Sequence, residues 1–117
     1  CWRPYLGAHG GMETLKPDLY AITASGEFED SWFIEVDRGT ESLPTLLKKC
    51  SQYERYRRTG REQAERGVFP AVLWVVPDDA RQQALVAGLR RTPSLDSDLF
   101  RVTTPALFTA VITGGAA

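Results

Sequence analysis

The sequence predicts an α/β fold in which a central mixed sheet is flanked by helices. Three observations carry that expectation. Phe69 to Val76 is an almost continuous apolar run closed by Pro77, the pattern of a strand buried on both faces and so of a sheet covered by helices. Leu43, Leu46, Leu47, Cys50 and Tyr53 recur at helical spacing. The segments follow one another as strand, strand, helix, strand, helix, strand.

Residues 1–16 contain Gly7, Gly10 and Gly11 with two prolines nearby, and read as an irregular lead-in. Leu19 to Thr23 is a short strand, Ala24 to Glu27 a turn, and Ser31 to Asp37 a second strand. A hairpin of these two brings Asp18 near the Glu35 and Asp37 side of the second strand, with the register left open. The clearest helix follows Arg38-Gly39-Thr40; Ser42 or Thr40 caps it, and Pro44 is tolerated in its first turn. Gly60 and Gly67 then loosen the chain. After the buried strand, Asp78 or Asp79 opens a second helix through about Arg91, with Leu85, Val86 and Leu89 inward. A last strand spans about Phe100 to Thr103, and Pro105 starts a terminal helical turn through Val111. Trp32 and Trp74 read as core, Trp2 as a terminal residue seeking cover.

With 117 residues, 43% hydrophobic and 25% charged, the chain suits one globular domain over 1–117 and shows no sign of disorder. Its apolar runs are too short to span a bilayer, and Cys1-Trp2-Arg3-Pro4 does not open a secretory segment. The start without methionine suggests a piece of something longer. Cys1 and Cys50 form neither a disulfide framework nor, with His9 alone, a zinc pattern, so a cytoplasmic location is expected.

Chemistry concentrates on the second strand. Alternate strand residues share a face, so Glu35 and Asp37 project together while Trp32, Ile34 and Val36 cover the other side. Two carboxylates in a half-buried place repel unless a cation, a proton or an arginine offsets them. A divalent cation held by Asp18, Glu35 and Asp37 meets that need. The competing reading is a strand face salt-bridged to Arg38 or Lys49. Beside the helix stripe, Lys49, Gln52 and Tyr56 share a flank that reaches over a sheet edge; the competing reading there is a solvated face with a snorkelling ring.

Charge is uneven along the chain. Glu27 to Glu41 holds six acids against Arg38 alone, whereas Lys48, Lys49, Arg55, Arg57, Arg58, Arg61 and Arg66 face only Glu54, Glu62 and Glu65. An acidic centre beside a basic helix suits a polyanion such as DNA, and a merely solvated helix face stays open as the alternative.

Pro17-Asp18, Glu35-x-Asp37 and a helix bearing Gln52-x-x-x-Tyr56 together resemble the PD-(D/E)XK nuclease superfamily, whose restriction-endonuclease-like core is a mixed sheet with flanking helices. More narrowly, Leu15-Lys16-Pro17-Asp18, the run Phe33 to Leu43 containing Glu35-Val36-Asp37-Arg38-Gly39-Thr40, and Lys49-x-x-x-Tyr53 resemble the replication-relaxation family of mobile elements. That resemblance covers Leu15 to Pro77. It implies plasmid replication or DNA relaxation, replication or transfer proteins as partners, and a DNA-binding region upstream.

The resemblance also implies roles. Asp18 and Glu35 match metal-binding acids, and Gln52 and Tyr56 match the helix motif of the exonuclease branch. Asp37 stands where the superfamily usually carries lysine, which stabilises the developing phosphorane charge. Aspartate serves only as a further ligand, with Lys49 or Arg38 supplying positive charge; Glu13 is the candidate for a missing upstream acid. One function is a Mg²⁺- or Mn²⁺-dependent phosphodiesterase, either endonuclease or nickase. The other, favoured because the lysine is missing while the basic helix remains, is a nuclease-like module that binds DNA through Arg38, Lys48, Lys49, Arg55, Arg57, Arg58 and Arg61. A protein-interaction module without DNA contact is a third alternative.

Overall fold

The structure, a computed structural model, describes residues 1–114, so residues 115–117 of the expected domain lie outside the described residues. Its strands are β1 (Arg3–Leu6), β2 (Met12–Leu15), β3 (Leu19–Ser25), β4 (Phe28–Val36), β5 (Ala71–Val75) and β6 (Phe100–Thr103). Its helices are α1 (Leu43–Arg58), α2 (Arg61–Arg66), α3 (Asp79–Arg90) and α4 (Phe108–Thr113). The main sheet has the order β3-β4-β5-β6: β3 and β4 are antiparallel, whereas β4, β5 and β6 run parallel. It is a mixed four-stranded sheet, as the sequence predicts.

The apolar run ends up in the sheet interior, where β5 lies beside the strand carrying Glu35. Its side chains alternate between two layers. Val72 and Trp74 join Phe33 beneath Leu46, Cys50 and Tyr53 of α1 and Leu85 and Leu89 of α3. Leu73 joins Trp32 and Ile34 on the opposite face, under Phe108, Val111 and Ile112 of α4. The helices α1 and α3 cross closely because Gly88 has no side chain: a Cβ there would stand 3.1 Å from Leu47 Cδ1.

Helix α1 begins where the sequence places it. Ser42 Oγ accepts the Thr45 N–H at 3.3 Å, and Pro44 sits in the first turn, where a missing N–H costs nothing. Asp78 caps α3 by accepting the Arg81 N–H at 2.8 Å. No helix among the described residues is long and apolar enough to cross a membrane.

Two expectations need correction. Residues 1–16 are no irregular lead-in: β1 and β2 pair antiparallel, from Arg3 opposite Leu15 to Leu6 opposite Met12, and the glycines form the turn between them. The hairpin is held by burial, since Tyr5 and Leu15 enter the core. The stretch between Gly60 and Gly67 is α2, anchored by the fully buried Glu62.

Candidate active site

The parallel strands β4 and β5 end at Val36 and Val75, and the antiparallel β3 starts at the same end of the sheet. In open α/β sheets the carboxyl ends of parallel strands leave a crevice that helices do not fill. Here that crevice is a pocket of about 540 Å³ whose lining includes Asp18, Glu35, Asp37, Lys48, Lys49 and Gln52. Residues scattered over 35 positions of sequence therefore share one wall.

Asp18 is tied to β4, where its Oδ2 accepts the Val36 N–H at 2.8 Å. One residue earlier on β4, Glu35 turns inward towards α1 and is only 6% exposed. Its Oε2 accepts the Tyr53 hydroxyl at 2.5 Å, and its Oε1 lies 3.8 Å from Lys49 Nζ. Lys49 is steadied by the Lys16 carbonyl at 3.0 Å. Burial pushes the Glu35 carboxyl up to about 7, with the negative charge of Asp18 adding to it; the Tyr53 hydroxyl and Lys49 offset only part. The glutamate is short of positive charge. Tyr53, read from sequence as core and as part of the Lys49-x-x-x-Tyr53 motif but not as a site residue, is thus a partner of the site, and burial next to the Glu35 charge holds its phenol protonated well above the ordinary range.

Asp37 shares the wall but has different company. Arg81 of α3 grips it with Nε to Oδ2 at 2.7 Å and Nη2 to Oδ1 at 3.1 Å, while the same Nη2 donates to the Glu41 carbonyl at 2.6 Å. The Gly39 N–H donates to Asp37 Oδ1 at 2.9 Å, from a backbone with φ of 77° that favours glycine. Burial works to raise this carboxyl, but Arg81 and the Gly39 N–H outweigh it and hold it below its ordinary value. The cation that offsets Asp37 is thus neither Arg38 nor Lys49, and of those two it is Lys49 that pairs with the strand, at Glu35. Sequence reasoning missed Arg81 because it lies 44 residues away.

The α1 flank divides. Gln52 faces the pocket and donates to the Thr14 carbonyl at 3.0 Å, and Arg55 pairs with Glu13 at 3.0 Å, both across to β2. Tyr56 is instead buried in the core, packed between the tilted rings of Tyr5 and Phe69 with its hydroxyl donating to Glu62 at 2.6 Å. Hairpin β1–β2 supplies the Tyr5 that covers it. Arg57 is held by Glu54 at 2.8 Å and Asp96 at 3.6 Å, Arg58 donates to the Ser94 carbonyl at 3.2 Å, and Arg61 lies 3.8 Å from Glu65. These three line no part of the pocket. Arg38 lines the adjoining depression next to Asp18.

Among the described residues no group of three or more His, Cys, Asp or Glu side chains is arranged to hold a metal ion. The donor set for a divalent cation is at most the pair Asp18 and Glu35. That pair fits Mg²⁺, which binds through one or two carboxylates and takes its remaining ligands from water and substrate oxygens. Asp37 does not fit, because both its oxygens are engaged.

Fold and pocket define an α/β domain with an acidic crevice at the carboxyl ends of its strands. Residues 1–72 match the family model described as replication-relaxation, and the chain belongs to that family. Neither the curated proteins nor the solved structures gave a match.

Proposed function

We propose that this chain is a nuclease-like domain with a PD-(D/E)XK core, extending over 1–117, that binds DNA in plasmid or mobile-element replication with weak or lost cleavage. One observation carries the reading: Asp18, Glu35, Lys49 and Gln52 converge on one pocket at the strand ends, in the chain order the superfamily uses. The weak or lost cleavage rests on Asp37. Where a lysine would face the phosphate, the chain has a carboxylate neutralised by Arg81, so no free charge of either sign is available there.

A phosphate does not enter a crevice lined by carboxylates without a cation. Asp18 and Glu35 are the residues that would hold Mg²⁺ or Mn²⁺, and the bound metal would draw a phosphate oxygen into the pocket and polarise it. Lys49 brings a second positive charge to the same wall, with Lys48 and Arg38 at the rim. Binding of this kind contacts phosphate, so it reads little sequence and weakens steeply with salt.

Fluorescence anisotropy with labelled DNA tests it. We expect affinity at low salt that rises with Mn²⁺, and loss of the Mn²⁺ effect in Asp18→Ala and Glu35→Ala. No affinity at low salt overturns the reading in favour of a protein-docking module. The active phosphodiesterase remains a second reading, because Lys49 stands 3.8 Å from Glu35 on the neighbouring helix, a place that serves for a relocated lysine. Mn²⁺-dependent nicking of supercoiled plasmid that vanishes in Glu35→Ala establishes it.

A further inference from the structure

The main sheet has two edges, and they are built differently. The β6 edge is four residues long and carries Arg101, whose charge resists another strand. The β3 edge is seven residues long, Leu19-Tyr20-Ala21-Ile22-Thr23-Ala24-Ser25, with no charge, proline or glycine. It pairs with β4 without a bulge from Leu19 opposite Ile34 to Ser25 opposite Phe28. Among the described residues nothing pairs with its outer side. Leu19 and Ile22 stand 54% and 56% exposed along it. Strands of this length with open N–H and C=O groups and none of the usual guards pair with another strand.

We infer that the occupant of this edge is β3 of a second copy of the chain, joined antiparallel about a two-fold axis into one continuous eight-stranded sheet. Only a register centred on Ile22 pairs all seven residues. It sets Ile22 against itself and Tyr20 beside Ala24, and no like charges meet at any of the seven positions.

Charge favours the same partner and direction. The hairpin end of β3 is acidic: Glu27, Glu29 and Asp30 are exposed and take part in no ion pair among the described residues. The other end carries a small positive excess: Arg3 and Arg66 lie over the Tyr20 ring, each 5.2 Å from its centre, and share the single carboxylate of Glu62, while exposed Lys16 offsets exposed Asp18. Antiparallel pairing brings each acidic end to the other copy's positive excess. Parallel pairing would set acid on acid. On the face carrying Tyr20, the residue beside it would be the second copy's Ala24, and Glu29 stands opposite Ala24 on β4.

Sedimentation equilibrium of the whole chain over a wide concentration range tests the inference. We expect a reversible species of twice the 13.0 kDa monomer mass. Ile22→Lys should weaken it at least tenfold, because two lysines would meet on the axis. As Ile22 is exposed, the circular dichroism of that variant should stay unchanged. Glu29→Arg should weaken it less. Ile22→Cys in a Cys1→Ser background should cross-link between copies on mild oxidation, while Cys50 stays out of reach in the core. A monomer at every concentration overturns the inference and leaves the edge to a strand of another protein. So does a dimer indifferent to Ile22→Lys that gives no cross-link.

Discussion

Against the middle of α1, the buried Glu35 has a phenol at 2.5 Å and one ammonium at 3.8 Å, and its carboxyl is pushed up to about 7. One residue past Tyr53, and in the helix that follows, Glu54 and Glu62 are just as deeply buried but are gripped by guanidinium groups. Glu54 takes Arg57 at 2.8 Å and Arg58 at 3.8 Å; Glu62 takes Arg3 at 2.8 Å, Arg66 at 3.2 Å and the Tyr56 hydroxyl at 2.6 Å. A fold that matches charges so completely in one place has left them unmatched in another. Burial without full pairing raises the free energy of the charged state, and such a deficit is retained where an external cation or substrate makes it good.

If the paired region is structural, breaking it is the most damaging change. Glu62→Ala leaves the part-buried Arg3 without its carboxylate and the buried Tyr56 hydroxyl without an acceptor, so we expect a loss of about 3 kcal/mol in urea unfolding. Glu62→Gln keeps one hydrogen bond and should lose less. A cost near zero would remove the contrast, for the bases along α1 and α2 would then be as unmatched as Glu35.

The Glu35 deficit has its own signature in pH. Its folded carboxyl titrates near 7 against an ordinary 4.5, so between these values the folded chain holds a proton that the unfolded chain has released. Stability therefore falls as pH rises from about 4.5 to 7, by up to about 3 kcal/mol, and is level beyond. Glu35→Gln should flatten that slope. Added Mn²⁺ should restore stability above pH 7 in the natural chain and not in the variant, if Asp18 and Glu35 take the cation. Asp37 has the opposite sign. Its carboxyl is held below its ordinary 3.8, so its pair with Arg81 stabilises above that pH and is lost as pH falls through the lower folded value. Arg81→Leu should cost about 2 kcal/mol at neutral pH and progressively less in acid.

How far the sequence announces these places follows from the range of the interactions. The frame is legible because its signals are local: the Ser42 cap with Pro44, the helical stripe, the run ending at Pro77. Asp18 and Glu35 are legible because a tight hairpin fixes their neighbourhood. Tyr56 is misplaced for want of one element: with residues 1–16 read as irregular, nothing covers that flank, whereas the Tyr5 ring of β1 packs 5.4 Å from its ring. Two short strands broken by glycines leave too little alternation to read. The partners of Asp37 and Glu62 include Arg81 and Arg3, 44 and 59 residues distant, which only the folded topology brings near.

The smallest expected effect separates the bases of α1 from one another. Lys48 is exposed and makes no ion pair among the described residues, and Lys49 lies on the pocket wall, so both have charge to give a phosphate. Arg57 is already neutralised by Glu54 and Asp96. In DNA titrations across salt concentration, Lys48→Ala should lower the log–log slope by about one, the share of a single released phosphate contact. Arg57→Ala should leave the slope nearly unchanged and show its loss in thermal stability instead. Equal slope changes in both variants would mean that DNA draws Arg57 away from Glu54. The paired half of the helix would then be a reserve of binding charge, and its buried glutamates would hold that charge in place until DNA arrives.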